Sequence, residues 1–268
     1  MRTRAITGFF FIIVMLASVL LGHYIFGAFF LLLSSLCLWE FYGLIRQSGL
    51  KPNWISGLFN GIIIYAVFAL ITYDSTEYHK LLFLLPITLS TIFIQELFKK
   101  AGSPFTNIAY SYLGLIFTLI PFTFFHALAY VTGSFNFHFP LAFLLMLWAN
   151  DTGAYLVGSQ LGRTKLFERH SPKKTWEGFI GGVIITAGAA LIINNYFNDL
   201  LWSQWVWIGI LISCFGTTGD LIESMFKRSI NVKDSGGILP GHGGLLDRFD
   251  GLLMAAPIVY AYLYFITN

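Results

Sequence analysis

Residues 202–228 read WSQWVWIGILISCFGTTGDLIESMFKR and join two patterns in one uninterrupted segment. The first part is apolar as far as Thr218 and long enough to cross a bilayer core of ~30 Å as a helix. The second part predicts that this helix continues with one polar face, because its polar residues recur at the spacing of helical turns. They stand at i, i+3, i+4, i+7 and i+8: Asp220, Glu223, Ser224, Lys227 and Arg228.

The whole chain of 268 residues has the composition of a membrane protein. Hydrophobic residues make up 56% of it and charged residues 11%, whereas soluble domains carry roughly 25% charged residues. This composition argues against a water-soluble domain. The basic residues are dispersed and form no recognition motif, so we expect no nucleic-acid partner.

Nine apolar runs are long enough to be transmembrane helices. The first two are joined by a tight connection at His23, which predicts a hairpin or one broken unit. We therefore predict an all-α polytopic membrane protein with about nine transmembrane helices. The predicted spans are Ile6–Gly22, Tyr24–Ile45, Ile55–Thr72, Leu81–Phe98, Ile108–Val131, Leu141–Val157, Phe179–Tyr196, Trp202–Thr218 and Leu252–Thr267.

The basic residues predict the orientation of these spans, because Lys and Arg collect on the cytoplasmic side of a membrane. With a cytoplasmic N-terminus and an external C-terminus, every Lys and Arg except Lys80 falls in a cytoplasmic segment. Removing one span would break this partition. Two long polar loops, residues 158–178 and 219–251, then face the cytoplasm, and we expect the chemistry there.

The two halves of the chain are expected to differ in role. Residues 1–138 hold the first five spans and are predicted to form a scaffold that contacts lipid and a second subunit. Residues 139–268 hold four spans and both long polar loops. We predict that this second half is the catalytic membrane region.

The polar face of residues 220–228 has two interpretations. Two carboxylates one turn apart, followed by two cations, could form a surface for a metal ion and phosphates. The same residues could instead be an amphipathic helix end with ion pairs such as Glu223–Lys227. The segments that follow favour the first interpretation.

A glycine-rich loop, KDSGGILPGHGG at residues 233–244, follows this helix. Glycines allow backbone N–H groups to close around phosphate oxygens, although loops also use glycine for turns. Asp247 and Asp250 come next, at the start of the last span, and share a helix face. A charge costs ~3 kcal/mol at the bilayer centre and less at the end of a span, so both carboxylates indicate a function.

Asp220, Glu223, Asp247 and Asp250 would converge if the last two spans pack side by side. Two carboxylates ~4 Å apart repel by ~4 kcal/mol at an effective dielectric constant of ~20, and a divalent cation would relieve that repulsion. Carboxylate oxygens favour magnesium, manganese or calcium, and magnesium commonly binds carboxylates together with substrate phosphates. Cations suited to phosphates lie nearby: Lys227, Arg228, Lys233 and Arg248.

The earlier polar loop adds a second group of candidates. Asp151 lies late in the sixth span, where it either serves a site or caps a helix end. Ser171 and Pro172 predict a helix start, as N-cap and first helical residue. Lys173 and Lys174 would then form an anion site at that helix N-terminus, or an ordinary basic flank of a span.

Together these segments resemble the CDP-diacylglycerol synthase (phosphatidate cytidylyltransferase) family. The family signature has a Ser, a Lys-Arg pair, a Lys-Asp before a small residue, and a final HGGxxDRxD. The chain matches it at Ser224, Lys227-Arg228, Lys233-Asp234-Ser235 and residues 242–250, HGGLLDRFD. The blocks NDTGAY at 150–155 and SPKKTWEG at 171–178 also resemble the family, so the similarity covers roughly residues 148–251.

The resemblance implies an enzyme that converts CTP and phosphatidate to CDP-diacylglycerol and pyrophosphate with Mg²⁺. It also implies a homodimer and a monovalent cation such as K⁺. Asp220 and Asp247 would hold the metal and act in catalysis with Lys227 and Arg248. Further metal ligands or supports would be Glu223, Asp250 and Asp151. The substrate-binding residues would be Lys173, Lys174, Ser224, Arg228, Lys233, Asp234, His242, Gly243 and Gly244, with His242 shaping the glycine loop.

Two alternatives remain open. Another CTP-dependent enzyme, acting on a different lipid phosphate such as an isoprenoid one, would need the same phosphate-handling residues. A transporter would place ionisable groups near the midplane on broken helices, whereas Glu40 and Glu96 lie near the inner ends of their spans. The lack of a long presequence favours a bacterial plasma membrane, with an endoplasmic reticulum or organelle membrane as the open alternative. We expect the active site at the cytoplasmic face.

Overall fold

The computed structural model describes residues 2–232, 236 and 243–267, with side chains from Thr7 onward. Within these residues the protein is almost entirely α-helical, as predicted, and its sheet is one two-stranded hairpin. Helices and strands are numbered in chain order.

The first half of the chain forms long helices and shorter connecting ones. They are α1 (Arg2–Leu20), α2 (His23–Gln47), α3 (Trp54–Tyr73), the one-turn α4 (Ser75–Tyr78), α5 (Leu84–Leu97), α6 (Pro104–Gly114) and α7 (Ile120–Leu128). A 3₁₀ segment, His79–Phe83, leads into α5, and a π-helical segment, Leu115–Leu119, joins α6 to α7. With these segments, the helices from α4 to α7 make two continuous membrane-length rods.

The second half has fewer and longer elements. They are α8 (His138–Leu161), the hairpin strands β1 (Lys165–Phe167) and β2 (Ser171–Thr175), α9 (Trp176–Asn194), α10 (Trp202–Ser229) and α11 (Leu246–Thr267). The hairpin links α8 to α9, and the glycine-rich loop links α10 to α11. We call the end of the molecule that carries both links the loop end.

Eight helical segments among the described residues are long and apolar enough to cross a membrane, and they correspond to eight predicted spans. The predicted first span is α1, whose apolar part Thr7–Leu20 is shorter. Gly22 makes the tight turn predicted at His23, with a φ of 99° that favours glycine. The all-α polytopic membrane fold is confirmed, and the orientation of the termini stays a prediction.

α10 and α11 lie against each other backbone to backbone, because glycines face one another in their contact. A Cβ on Gly251 would lie 3.5 Å from the Cα of Gly216, and a Cβ on Gly219 would overlap the backbone oxygen of Asp250. Small residues permit this close approach between membrane helices. The close packing brings Asp220, at the loop end of α10, beside the first turns of α11.

A buried carboxylate ties α3, α5 and α6 together. Glu96, whose residue is 3% exposed, accepts hydrogen bonds from the amides of Asn53 and Asn107, both at 2.8 Å. Lys99 lies 3.4 Å from the same carboxylate. Three donors therefore compensate the buried charge of Glu96. A charge is tolerated inside a protein when it is paired and hydrogen-bonded in this way.

The predicted helix start at Ser171 and Pro172 is wrong, because these residues belong to β2. β2 pairs antiparallel with β1, and this tertiary pairing overrides the local signal of a Ser-Pro cap. α9 begins at Trp176 instead. Thr175 is its N-cap, and its hydroxyl accepts the N–H of Gly178 at 3.2 Å.

Glu177, in the first turn of α9, holds the base of the hairpin. Its carboxylate accepts the N–H of Arg163 at 3.1 Å and the N–H of Thr164 at 3.1 and 3.2 Å. The hairpin is therefore tied to α9 on one side and continuous with α8 on the other. Lys173 and Lys174 consequently project from a strand, and not from a helix N-terminus as predicted.

Candidate active site

Three aspartates and a lysine meet where the loop ends of α8, α10 and α11 face β2. Lys174 forms an ion pair with Asp220, with 2.5 Å between Nζ and Oδ2. Asp151 and Asp250 interact electrostatically with Asp220 and with Lys174, and Arg248 adds a positive charge that acts on Asp151. We call Asp151, Asp220, Asp250 and Lys174 the Asp220 cluster. It contains three carboxyl groups and one ammonium group.

Lys227 lies between two carboxylates in a second group. Its Nζ is 2.6 Å from Oε2 of Glu223 and 2.7 Å from Oδ1 of Asp247, and the Glu223 side chain is 1% exposed. The predicted Glu223–Lys227 ion pair is therefore present, but it is shared with α11. We call Glu223, Lys227 and Asp247 the Lys227 cluster. It fixes the loop end of α10 to the first turn of α11.

The end of the glycine-rich loop wraps around Asp247. Gly244 donates its N–H to Oδ2 of Asp247 at 3.3 Å. Gly243 has a φ of 82°, which favours glycine, and a Cβ there would lie 2.9 Å from the same oxygen. Ser224 donates its hydroxyl to Asp220 at 3.3 Å, so Ser224, Gly243 and Gly244 all lie beside carboxylates, and their binding of substrate stays a prediction.

A cavity of about 450 Å³ opens beside the Asp220 cluster, within the size range of small-molecule sites. It lies between α8, the hairpin, α9 and α10. Lys173, Lys174, Asp151 and Asp220 line it, so it carries both signs of charge. Tyr155, the last residue of the NDTGAY block, also lines it. Sequence reasoning missed three further uncharged lining residues, which no motif or charge pattern marks: Ser159, Phe179 and Thr217.

The four carboxylates predicted to converge are divided between the two clusters. Asp220 and Asp250 belong to the first, and Glu223 and Asp247 belong to the second. Among the residues that the structure describes, no group of three or more His, Cys, Asp or Glu side chains is arranged to hold a metal ion. The donor set of the Asp220 cluster still fits a hard divalent cation, because it consists of carboxyl oxygens.

The remaining predicted residues fall into two groups. Arg228 and Arg248 are exposed at the loop end, where a substrate could reach them. Lys233, Asp234 and His242 lie outside the described residues. The support of the hairpin by Glu177 was not predicted, although Glu177 lies in the SPKKTWEG block and is an acidic residue in the first turn of a helix.

Comparison with known proteins gives one consistent result. The chain matches the model of the cytidylyltransferase family over residues 2–266. It is 36% identical to the phosphatidate cytidylyltransferase of Staphylococcus saprophyticus over 263 residues, which cover 97% of each chain. Enzymes of the same name from Staphylococcus aureus and Staphylococcus haemolyticus are 36% and 34% identical, also over 97% of each chain. The chain therefore belongs to the cytidylyltransferase family.

Proposed function

We propose that the protein transfers the cytidylyl group of CTP to phosphatidate, which yields CDP-diacylglycerol and pyrophosphate. The observation that carries this proposal is the cavity at the end of a membrane bundle, where Lys173 and Lys174 lie beside the carboxylates of Asp151 and Asp220. Such lysines suit the phosphates of both substrates. The relatives named above are phosphatidate cytidylyltransferases by name, which supports the same reaction here.

The nucleophile would be a phosphate oxygen of phosphatidate itself. A phosphomonoester has a second pKa of ~6, so this oxygen is largely ionised near neutral pH and no protein base has to remove a proton. The oxygen attacks the α-phosphorus of CTP, the bond from that phosphorus to the bridging oxygen breaks, and pyrophosphate leaves. The protein has to align two anions and stabilise the charge on the leaving group.

Lys174 would change its partner when the substrates bind. It pairs with Asp220 at the cavity wall, where a phosphate oxygen would compete with the carboxylate for the ammonium. Lys173, exposed on the same strand, would hold a second phosphate. Lys227 would mainly hold Asp247 in position, because its ammonium group already contacts two carboxylates.

We propose Mg²⁺ as the cofactor, held by Asp220 together with Asp151 and Asp250 of the Asp220 cluster. Asp247 and Glu223, which were also predicted as ligands or supports, both pair with Lys227 and would support the site from the Lys227 cluster. When bound, Mg²⁺ would shield the charge of the triphosphate. A monovalent cation such as K⁺ beside it, and a homodimer, stay proposals that rest on the family resemblance.

The proposed location is the bacterial inner membrane, with a cytoplasmic N-terminus and an active site open to the cytoplasm. The candidate membrane spans and the bacterial relatives support it. The distribution of basic residues, with Lys80 as the exception, supports the orientation. CTP is a cytoplasmic metabolite, which agrees with an active site at the loop end.

The test is an acceptor assay on detergent-purified protein with Mg²⁺ and labelled CTP. We expect label in the lipid phase with phosphatidate, and its loss with EDTA or in Asp220→Asn. Asp74→Asn is the matched control, because Asp74 caps the short α4 and should keep activity. Label with an isoprenoid phosphate, but not with phosphatidate, would replace the proposed substrate with the alternative one.

A further inference from the structure

Glu40 is a buried carboxylate in α2, in the half of the chain that was predicted to be scaffold. Its residue is 5% exposed. An ionisable group within a membrane helix costs free energy, and it usually pairs with another group and serves a function. The proposed mechanism does not use Glu40, so its partners show what it does.

One partner is the first residue of α11. Oε2 of Glu40 accepts the N–H of Leu246 at 2.8 Å, across 206 positions of the chain. The first N–H groups of a helix have no acceptor within the helix, and a carboxylate there also interacts favourably with the helix dipole. Glu40 therefore caps α11 from another helix.

A second contact lies within the glycine-rich loop, near its start. A Cβ on Gly236 would overlap Oε1 of Glu40, so the backbone at Gly236 passes directly against the carboxylate. Gly236 lies near the start of the glycine-rich loop, residues 233–244, and Leu246 lies just after its end. One carboxylate thus contacts the chain near both ends of this loop.

The neighbouring residue of α2 contacts α10. The ring of Phe41 stacks on Phe226 with centroids 4.9 Å apart and an interplanar angle of 15°. Phe226 precedes Lys227 of the Lys227 cluster. Glu40 and Phe41 therefore hold α11 and α10 at the level where Lys227 joins the two helices.

We propose that Glu40 is a positioning residue for the active site, which sets the start of α11 and so the place of Asp247 and Asp250. This inference rests on the proposed function. A misplacement of ~1 Å in a catalytic group can lower the rate ~100-fold. Loss of Glu40 should therefore lower kcat much more than it raises the KM for CTP.

The test compares Glu40→Ala and Glu40→Gln with Glu96→Ala. Glu96 is an equally buried carboxylate with partners on α3, α5 and α6, so the matched change should destabilise the protein but spare kcat per folded molecule. We expect kcat to fall ~100-fold in Glu40→Ala and to recover at least tenfold in Glu40→Gln, which keeps an oxygen for the Leu246 N–H. Equal kcat in Glu40→Ala and Glu96→Ala would overturn the proposal.

Gly236→Ala gives a reciprocal test of the contact. The new methyl group would displace the Glu40 carboxylate from the Leu246 N–H, so kcat should fall about tenfold. In the double variant with Glu40→Ala the collision is gone, and kcat should match that of Glu40→Ala alone. If the kcat of the double variant falls by the product of the two single-variant factors, the assigned contact is contradicted.

Hydrogen exchange separates this proposal from the proposed reaction. Without any substrate, amides at the start of α11 should exchange at least tenfold faster in Glu40→Ala than in the wild type, and at the wild-type rate in Glu96→Ala. Unchanged exchange there would overturn the positioning role. If exchange is faster in Glu40→Ala but the wild type turns over no phosphatidate, the positioning role of Glu40 is supported and the proposed function is refuted.

Discussion

Lys227 is held between a carboxylate of its own helix and one from α11. With Nζ 2.6 Å from Glu223 and 2.7 Å from Asp247, it is the cation that pairs with a nearly inaccessible glutamate. Removing one partner of a buried pair leaves the other charge uncompensated. Lys227 is therefore expected to matter for stability as well as for activity.

Lys227→Met should lower the free energy of unfolding by about 3 kcal/mol and abolish most activity. Thermal unfolding of the detergent-solubilised protein, together with the lipid-transfer assay, measures both effects. Arg228→Met is the control, because Arg228 is exposed one position further along α10. A stability loss of the same size in both variants would contradict the pairing.

Lys174→Ala should act on substrate binding and leave stability nearly unchanged. Its pair with Asp220 is partly exposed, 25% and 38% for the two side chains, and exposed pairs contribute at most about 1 kcal/mol. We expect the KM for CTP to rise about tenfold, as for loss of a charged phosphate contact. Lys165→Ala, an exposed hairpin lysine outside the cavity, should leave the KM unchanged, and equal KM values in both variants would refute the contact.

At the scale of elements, α10 shows what a local pattern can predict. Its polar face was predicted from residues 220–228, and the structure has a single helix, Trp202–Ser229, because spacing along a helix is a local property. The partner of Lys227 on α11 could not be predicted, since it depends on how two helices pack. The contact of Glu40 with Leu246, across 206 positions, was beyond sequence reasoning for the same reason.

The hairpin shows where a local signal fails. Ser171 and Pro172 are favourable residues for a helix start, yet Ser171 pairs with Phe167 of β1 and Pro172 follows it in β2. Glu177 fixes the other end of the hairpin, because its carboxylate accepts the N–H groups of Arg163 and Thr164. The two cavity lysines were thus predicted as candidate residues, whereas the element that presents them was not.

Gly219→Ala tests the close packing of α10 on α11. A methyl group there meets the backbone of Asp250, so the helices must separate. Overpacking of this kind typically costs about 1–3 kcal/mol, and the shift of Asp250 should reduce activity. Gly188→Ala in α9 is the control, because nothing lies within 4 Å of its Cβ position. Unfolding midpoints that do not differ between the variants would contradict the packing.

At the scale of the whole molecule, the predicted orientation places both loop-end links in the cytoplasm and Lys80 outside. Lys165→Cys and Lys80→Cys place thiols at two exposed positions, and an impermeant thiol reagent applied to intact cells should modify only the second. The wild-type chain, whose Cys37 is buried and whose Cys214 is partly exposed, gives the background. Modification of Lys165→Cys from outside would reverse the predicted topology.

The position of the label in the products shows which phosphorus of CTP the lipid phosphate attacks. With phosphatidate as acceptor, we predict that label from the α-phosphorus of CTP enters the lipid and that label from the γ-phosphorus appears in pyrophosphate. This result follows from attack of the lipid phosphate on the α-phosphorus. Label from the γ-phosphorus in the lipid would mean phosphoryl transfer and would contradict the account.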